Sequence, residues 1–388
     1  MKQSERGTQE PVNRRSFLKK GAIAAGVATA GVILSSQSLP ALAQYPGENG
    51  VGLTQGDIAI LRFLAAAELI ESDLWIQYAE LGGIGNNQPI EVDPNETLNN
   101  YQTALSNLDP DGPQYITSNT LDEVSHATFL NAYLESKGAP PVDLDKFRTL
   151  RGSQATGAQN IGRLTNLMDL NIDTSWYIRY RSSTNPDFGA TFPQALTLNG
   201  VTAIPRNNGD FEGGPFPNGN PNGLGGNVHI QAIANVAAFH FGYIEQGGSS
   251  LYQALSQKVN SLEVLKITMA IGGDEIAHFL EWVDFSGNGV QAPVAPFTDP
   301  KSRLTFPNFF SPLNPLNQPS LIFPVPCEFI SADLPHCSVI RPTSDQFAGA
   351  VATIASFTKD NLFLGQSAEF FQTVNQLAVA ADEAQRQT

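Results

Sequence analysis

Residues 122–126 of this chain read Asp-Glu-Val-Ser-His, and residues 274–278 read Asp-Glu-Ile-Ala-His. Positions i and i+3 share one face of an α-helix, so each phrase directs a carboxylate and an imidazole toward the same point. The chain has 5 histidines, and random placement would give about 0.2 Glu-x-x-His spacings. The repeated phrase therefore predicts two helices that each offer two metal ligands. The alternative interpretation is surface charge combined with core histidines.

A single carboxylate precedes each phrase within an otherwise apolar stretch. Glu68 lies in residues 63–69, Phe-Leu-Ala-Ala-Ala-Glu-Leu, and Glu245 follows Phe-Gly-Tyr-Ile at residues 241–244. The resulting order, Glu, Glu-x-x-His, Glu, Glu-x-x-His, is the ligand set of di-iron and di-manganese carboxylate bundles. The predicted ligands of two iron or two manganese ions are Glu68, Glu123, His126, Glu245, Glu275 and His278.

Four carboxylates suit a pair of divalent cations, because about that much negative charge is needed to neutralise and bridge the pair. Glu123 and Glu275 are candidates for bridging ligands, with Glu68 and Glu245 as terminal ligands. Spacing alone does not decide which carboxylates bridge. Burying four unpaired carboxylates would be strongly unfavourable, so an interpretation without metal predicts that some of these glutamates are exposed.

An aspartate stands one residue before the glutamate of each phrase. Asp122 and Asp274 point about 100° around the helix from that glutamate, toward a neighbouring helix. Each is predicted to accept a hydrogen bond from the second ring nitrogen of a metal-bound histidine, which would fix the histidine tautomer. The alternative is a solvent-facing aspartate.

Further residues are weaker candidates for the same site. Glu71 shares a helix face with Glu68 and is either an extra ligand or a carboxylate at the rim or surface. Tyr252 and other tyrosines are candidates for hydrogen bonds to ligand carboxylates or for electron relay, with a core role as the alternative. The pair Gly272-Gly273 is unusual inside a helix because glycine costs up to about 1 kcal/mol relative to alanine. It indicates either close helix approach, a local bulge near the metals or a helix break.

The chain resembles the exported ferritin-like proteins, a group that includes desiccation-related proteins. The resemblance covers residues 54–137 and 227–286 and implies a four-helix bundle with one long crossover. Its motifs are a paired glutamate on the first helix, Glu-x-x-His on the second and fourth, and a glutamate followed by tyrosine seven residues later on the third. In this sequence they are Glu68 with Glu71, Glu123 with His126, Glu245 with Tyr252, and Glu275 with His278. The longer crossover and the Pro-rich tail depart from a minimal bundle.

The N-terminus predicts export. Residues 13–20, Asn-Arg-Arg-Ser-Phe-Leu-Lys-Lys, precede a weakly apolar Ala/Gly/Val run and resemble a twin-arginine signal. Residues 41–43, Ala-Leu-Ala, fit a cleavage site, so residues 1–43 are expected to be the signal peptide; an uncleaved anchor is the alternative. The expected location is the periplasm, a thylakoid lumen or the extracellular space.

The composition of the chain indicates which kinds of partner it is expected to bind. A formal net charge of −15 argues against binding to nucleic acid or anionic membranes, both of which need clustered Lys and Arg. Cys327 and Cys337 lie in a Pro-rich segment, where an oxidising compartment favours a local disulfide over free thiols. A small molecule, O2 or peroxide, is the expected partner, and a homo-oligomer is an open alternative.

The expected fold class is all-α, a ferritin-like four-helix bundle with an inserted crossover helix and a Pro-rich, C-terminal helical extension. The bundle is expected over residues 54–290 with an insertion at about 142–226, and the extension over 291–388. Helix stop and start signals predict the helices at 54–82, 95–107, 118–137, 154–181, 228–247 with a possible continuation to 259, 261–287, 344–358 and 364–385.

These features together predict a dinuclear iron or manganese protein that carries out redox chemistry with O2 or peroxide, as a ferroxidase or oxidase or in a catalase-like manner. A protein of a different class is the alternative. It would bind metal or protect against desiccation and stress without catalytic turnover.

Overall fold

The computed structural model describes residues 52–84, 97–174, 197–212, 228–286, 294–299, 301–307, 324–325, 330–331, 333–338 and 349–387. The predicted signal peptide and Cys327 lie outside these residues. The described chain is mostly helical, as expected for an all-α protein. Its α-helices are α1 (Gln55–Gly82), α2 (Asn100–Leu108), α3 (Gly112–Ser136), α4 (Val228–Ser256), α5 (Leu262–Phe285), α6 (Ala350–Lys359) and α7 (Ala368–Asp382).

Within the described residues, short strands form four two-stranded antiparallel sheets. The pairs are β1 (Leu150–Arg151) with β2 (Gly162–Arg163), β3 (Leu170–Asp173) with β4 (Thr197–Val201), β5 (Phe297–Thr298) with β6 (Thr305–Phe306), and β7 (Pro324–Val325) with β8 (Cys337–Ser338). Single-turn 3-10 helices lie at Asp145–Phe147 and Asn208–Phe211. None of the described helices is both long and apolar enough to cross a membrane.

Side-chain caps fix the starts of two long helices where the sequence predicts them. The Thr54 hydroxyl accepts a hydrogen bond from the Asp57 backbone N–H at 3.1 Å. The Ser261 hydroxyl accepts a hydrogen bond from the Glu263 backbone N–H at 3.2 Å. Helix α5 begins at Leu262, directly after Ser261. Such caps satisfy backbone donors that have no partner within the helix. α3 begins earlier than predicted, at Gly112, because Pro113 at its first turn is compatible with helix entry.

The predicted helix at 154–181 is wrong within its described part, residues 154–174, which contains β2, β3 and loops. Residues 175–181 lie outside the described chain. The physical reason is a buried carboxylate on α1. Asp73 Oδ2 accepts hydrogen bonds from the backbone N–H groups of Leu164 and Thr165 at 3.0 and 2.9 Å. These donors have a tertiary partner instead of the carbonyl groups of a preceding helical turn.

The long helices pack in pairs around a continuous apolar core. α1 lies along α3, and α4 lies along α5. Between the pairs, Trp75 of α1 stacks on Trp282 of α5, with ring centroids 5.3 Å apart. The C-terminal helix α7 packs against α1 and α6. This arrangement places one face of each of α1, α3, α4 and α5 toward a shared interior.

Candidate metal centre

The six predicted ligand residues lie together in the interior between α1, α3, α4 and α5. Glu68 belongs to α1, Glu123 and His126 to α3, Glu245 to α4, and Glu275 and His278 to α5. The glutamates are at most 1% exposed, and the two histidines are 7% and 5% exposed. Surface charge is therefore the wrong interpretation of the repeated phrase.

The ligand atoms form two groups that share Glu123. One group contains Glu68, Glu123, His126 and Glu275, and the other contains Glu123, Glu245 and His278; within each group the ligand atoms lie within 4.8 Å of one another. One carboxylate, that of Glu123, therefore belongs to two adjacent groups that could each hold a metal ion.

The Nδ1 atom of each histidine faces the buried carboxylates. His126 Nδ1 lies 3.4 Å from Glu68 Oε2 and 3.4 Å from Glu123 Oε2. His278 Nδ1 lies 3.1 Å from Glu123 Oε1 and 3.4 Å from Glu245 Oε2. The two oxygens of Glu123 thus face different imidazoles, a choice that sequence spacing left open. Of the two candidate bridging carboxylates, Glu123 contacts both histidines, whereas Glu275 contacts His126 alone.

The Nε2 atoms face the two aspartates, and the pairing crosses between the phrases. His126 Nε2 lies 3.2 Å from Asp274 Oδ2, and His278 Nε2 lies 3.4 Å from Asp122 Oδ2. The hydrogen bond from His126 lowers the pKa of Asp274 below its usual value. Each aspartate side chain is nearly half exposed, yet each contacts an imidazole. The contacts orient both rings with Nδ1 inward, as the hypothesis about these aspartates requires.

Several buried carboxylate oxygens have no hydrogen-bond donor in the structure. Those that belong to the cluster are Glu68 Oε2 and both side-chain oxygens of Glu245 and of Glu275. A buried carboxylate without a partner is strongly unfavourable unless it takes up a proton or binds a cation. Three of these oxygens, Glu68 Oε2, Glu245 Oε2 and Glu275 Oε1, lie within 3.8 Å of a histidine Nδ1 atom, so the residues present fit bound divalent cations.

Mutual repulsion and burial also perturb the protonation of the cluster. Burial, followed by the charges of Glu68 and Glu245, raises the pKa of Glu123 to about 8. Burial and the neighbouring glutamates raise the pKa of Glu275 well above its usual value. Burial would lower the pKa of His126, but its hydrogen bonds to acidic side chains raise it to about 12. Any cation bound at this site would therefore compete with protons near neutral pH.

The two weaker candidates also lie in the interior. Glu71 is 3% exposed, so a surface location is wrong; burial, then the charges of Glu123 and Glu68, raises its pKa well above the usual value. It does not belong to either close group of ligand atoms. The Tyr252 hydroxyl donates a hydrogen bond to Glu68 Oε1. That bond holds one oxygen of Glu68 and leaves Oε2 directed at His126.

Asn119 is a site residue that the sequence analysis missed. Its Nδ2 donates to Glu123 Oε1 at 2.9 Å and lies 3.2 Å from His278 Nδ1. Its Oδ1 accepts a hydrogen bond from Trp282 Nε1 at 2.6 Å. Its position four residues before Glu123, on the same helix face, was the available signal.

Glycines on α4 and α5 make room for the site. A Cβ atom at Gly248 would lie 1.9 Å from Glu275 Oε2, and one at Gly272 would lie 2.7 Å from Tyr252 Cβ. A Cβ atom at Gly273 would meet nothing within 4 Å. Both helices continue through these glycines. The close-approach interpretation is confirmed for Gly272, the helix break is wrong, and Gly248 was missed.

The remaining histidines in the described chain lie away from this cluster. His229 Nδ1 pairs with Asp299 Oδ2 at 2.8 Å, which connects α4 to the β5–β6 hairpin. His240 Nδ1 lies 2.6 Å from the hydroxyl of Tyr78. Cys337 is exposed, and the predicted disulfide stays a prediction because Cys327 is outside the described residues.

Comparisons of the chain with protein-family models, with curated proteins and with solved structures found no match.

Proposed function

We propose that this chain is an exported ferritin-like protein in which α1, α3, α4 and α5 form a four-helix bundle around a dinuclear iron or manganese centre. The observation that carries the proposal is the position of Glu123 between the imidazoles of His126 and His278. A bridging carboxylate flanked by two carboxylate–imidazole groups is the arrangement that two adjacent cations require.

The order of the helices supports the bundle. α1 packs along α3, and α4 packs along α5, so each pair supplies one carboxylate and one Glu-x-x-His phrase. A single long connection, residues 137–227, separates the two pairs. One long crossover between two helical hairpins is the ferritin-like connectivity.

The donor atoms favour iron or manganese. Carboxylate oxygens outnumber imidazole nitrogens, and no thiolate belongs to the ligand groups found among the described residues. Copper and zinc bind nitrogen and oxygen ligands more tightly than manganese or iron(II) do, so metal availability decides the outcome. Twin-arginine export of folded protein would allow loading in the cytoplasm before export.

A bound metal pair supplies two one-electron oxidation-state changes for reaction with O2 or peroxide. The chain's own residues prepare that chemistry. Glu123 would contact both cations, while Asp122 and Asp274 keep both Nδ1 atoms turned inward. Tyr252 restrains Glu68 through a hydrogen bond. Burial of the glutamates excludes bulk water, which strengthens each electrostatic interaction within the site.

Elemental analysis after native export tests the proposal. We expect about two iron or manganese ions per chain, and their loss in a Glu123→Ala, Glu275→Ala double variant. A matched control removes two exposed carboxylates from the same helices, Glu135→Ala with Asp284→Ala, and should keep both ions. Metal that is absent, or unchanged in the first variant, would refute the metal centre.

Peroxide and O2 consumption by the metal-loaded protein then tests the redox activity. We expect consumption by the wild type and by the control variant. Two bound ions without any consumption would instead identify a metal-binding or stress-protective protein without turnover.

A further inference from the structure

A column of buried aromatic rings extends from the candidate metal centre through the core. Trp75, Phe241 and Trp282 come from α1, α4 and α5 and are fully buried. The ring centroids are 5.3 Å apart for Trp75 and Trp282, 5.0 Å for Trp75 and Phe241, and 4.5 Å for Phe241 and Trp282. The π systems of the two indoles are therefore in direct contact, with an interplanar angle of 19°.

One end of the column is hydrogen-bonded to the candidate centre. Trp282 Nε1 donates to Asn119 Oδ1 at 2.6 Å, and Asn119 Nδ2 donates to Glu123 Oε1 at 2.9 Å. The indole N–H fixes which end of the Asn119 amide faces the carboxylate. The side chain of Asn119 thus connects the Trp282 indole to Glu123, the proposed bridging ligand, through two hydrogen bonds.

The other end of the column is a tyrosine with a basic partner. The ring centroid of Tyr78 lies 5.6 Å from that of Trp75. The Tyr78 hydroxyl lies 2.6 Å from His240 Nδ1. Burial lowers the pKa of His240 to about 3, so the imidazole is neutral and its Nδ1 can accept the phenol proton in the hydrogen bond. Both side chains are at most 1% exposed.

Oxidation of a phenol by one electron makes its O–H group strongly acidic. A buried tyrosine can therefore be oxidised readily only when a neighbouring base takes the proton at the same time. His240 meets this requirement at Nδ1. By contrast, Tyr101, which is also fully buried, donates its O–H to the backbone carbonyl of Ala203 at 2.6 Å, and an amide carbonyl is too weak a base to take the proton.

We infer that Tyr78 is a redox-active tyrosine, connected to the metal centre by Trp75, Trp282 and Asn119 and paired with His240 as its proton acceptor. The inference rests on the proposed function, which supplies the oxidant: the metal pair after reaction with peroxide or O2. Tyr78 would give one electron through the indoles to a metal pair held by these ligands and oxidised by peroxide or O2. Its O–H bond breaks, an N–H bond forms at His240 Nδ1, and a neutral tyrosyl radical remains.

Electron paramagnetic resonance of the metal-loaded protein, frozen after mixing with hydrogen peroxide or O2, tests the inference. We expect a tyrosyl signal that narrows when ring-deuterated tyrosine is incorporated. Tyr78→Phe should lower the radical yield at least ten-fold while its metal content stays that of the wild type. Tyr101→Phe removes a hydroxyl of matched burial and should keep the signal.

Three results would overturn the inference. They are peroxide consumption without any protein radical, a radical that persists in Tyr78→Phe, and a radical that is lost instead in Tyr252→Phe, whose hydroxyl contacts Glu68. Failure of the proposed function would look different, because the wild type would then bind no metal or consume no oxidant.

A second measurement does not depend on the metal. A photogenerated one-electron oxidant in solution should produce a long-lived tyrosyl radical in metal-free wild type and in Tyr101→Phe. The yield should fall at least ten-fold in Tyr78→Phe and in His240→Leu. Equal yields in all four proteins would refute a redox-active Tyr78 whether or not the metal centre exists.

Discussion

Replacement of Gly248 by alanine should remove metal without unfolding the protein. The added Cβ atom would lie 1.9 Å from Glu275 Oε2, whereas ordinary van der Waals contact begins at 3.4 Å. The carboxylate must therefore move by about 1.5 Å. It can do so because it is the free end of a flexible side chain and makes no hydrogen bond through either oxygen.

The size of the expected effect follows from coordination geometry. Metal–ligand distances are held to about ±0.2 Å, so a displacement of this size removes Glu275 from the centre. Loss of a partner that only orients a ligand lowers metal affinity about 10- to 100-fold. Loss of the ligand itself should lower affinity by at least about 100-fold, or about 2.7 kcal/mol. Helix stability should gain about 0.5–1 kcal/mol from replacing a helical glycine, so the metal-free variant remains folded.

Competition with a chelator measures the affinity, and urea unfolding of the metal-free protein measures the stability. Gly273→Ala is the matched control, because it also replaces a glycine within a helix but its Cβ would meet nothing within 4 Å. The control should gain stability and keep its metal. Unchanged affinity in Gly248→Ala, or an equal loss in both variants, would refute the assignment of Glu275 as a ligand.

Three further predictions concern the pH dependence of metal binding, the contact of Asp274 with His126, and the buried ion pair of Arg163. Glu123, with its pKa near 8, must lose its proton to bind metal, so metal affinity should increase toward pH 8 and binding should release a proton. Calorimetry in two buffers of different ionisation enthalpy measures the proton release. A metal affinity that does not depend on pH would contradict the prediction. Asp274→Asn should lower metal affinity about 10- to 100-fold by the same chelator competition, and no change would show that its contact with the imidazole is incidental. Arg163→Met leaves the buried Glu80 carboxylate without its cationic partner and should lower the free energy of unfolding in urea by about 3–5 kcal/mol. The control is the exposed ion pair between Lys146 and Glu369. Lys146→Met should change the free energy of unfolding by less than about 1 kcal/mol. Equal effects of the two substitutions would exclude burial as the cause.

Part of the helical pattern follows from local sequence and part from distant contacts. Thr54 and Ser261 cap helices where the sequence predicts because their hydroxyls bond to backbone groups two or three residues away. The sequence also predicts a helix over residues 154–174, yet Asp73 accepts hydrogen bonds from two backbone N–H groups of this segment. The helix predicted at 228–247, with a continuation to 259 left open, runs through Gly247-Gly248 and ends at Ser256.

The sequence by itself determined which residues share a helix face. The i, i+3 spacing placed Glu123 beside His126 and Glu275 beside His278, since helix geometry is local. It also singled out Glu68, Glu245 and the paired aspartates.

Only the tertiary structure decided how these faces meet. It placed Glu123 between both imidazoles, paired each aspartate with the histidine of the other phrase, and brought Trp282 into contact with Asn119. The physical reason is that such contacts join residues far apart in sequence, and their geometry depends on how the helices pack. Neither spacing nor composition encodes that packing locally.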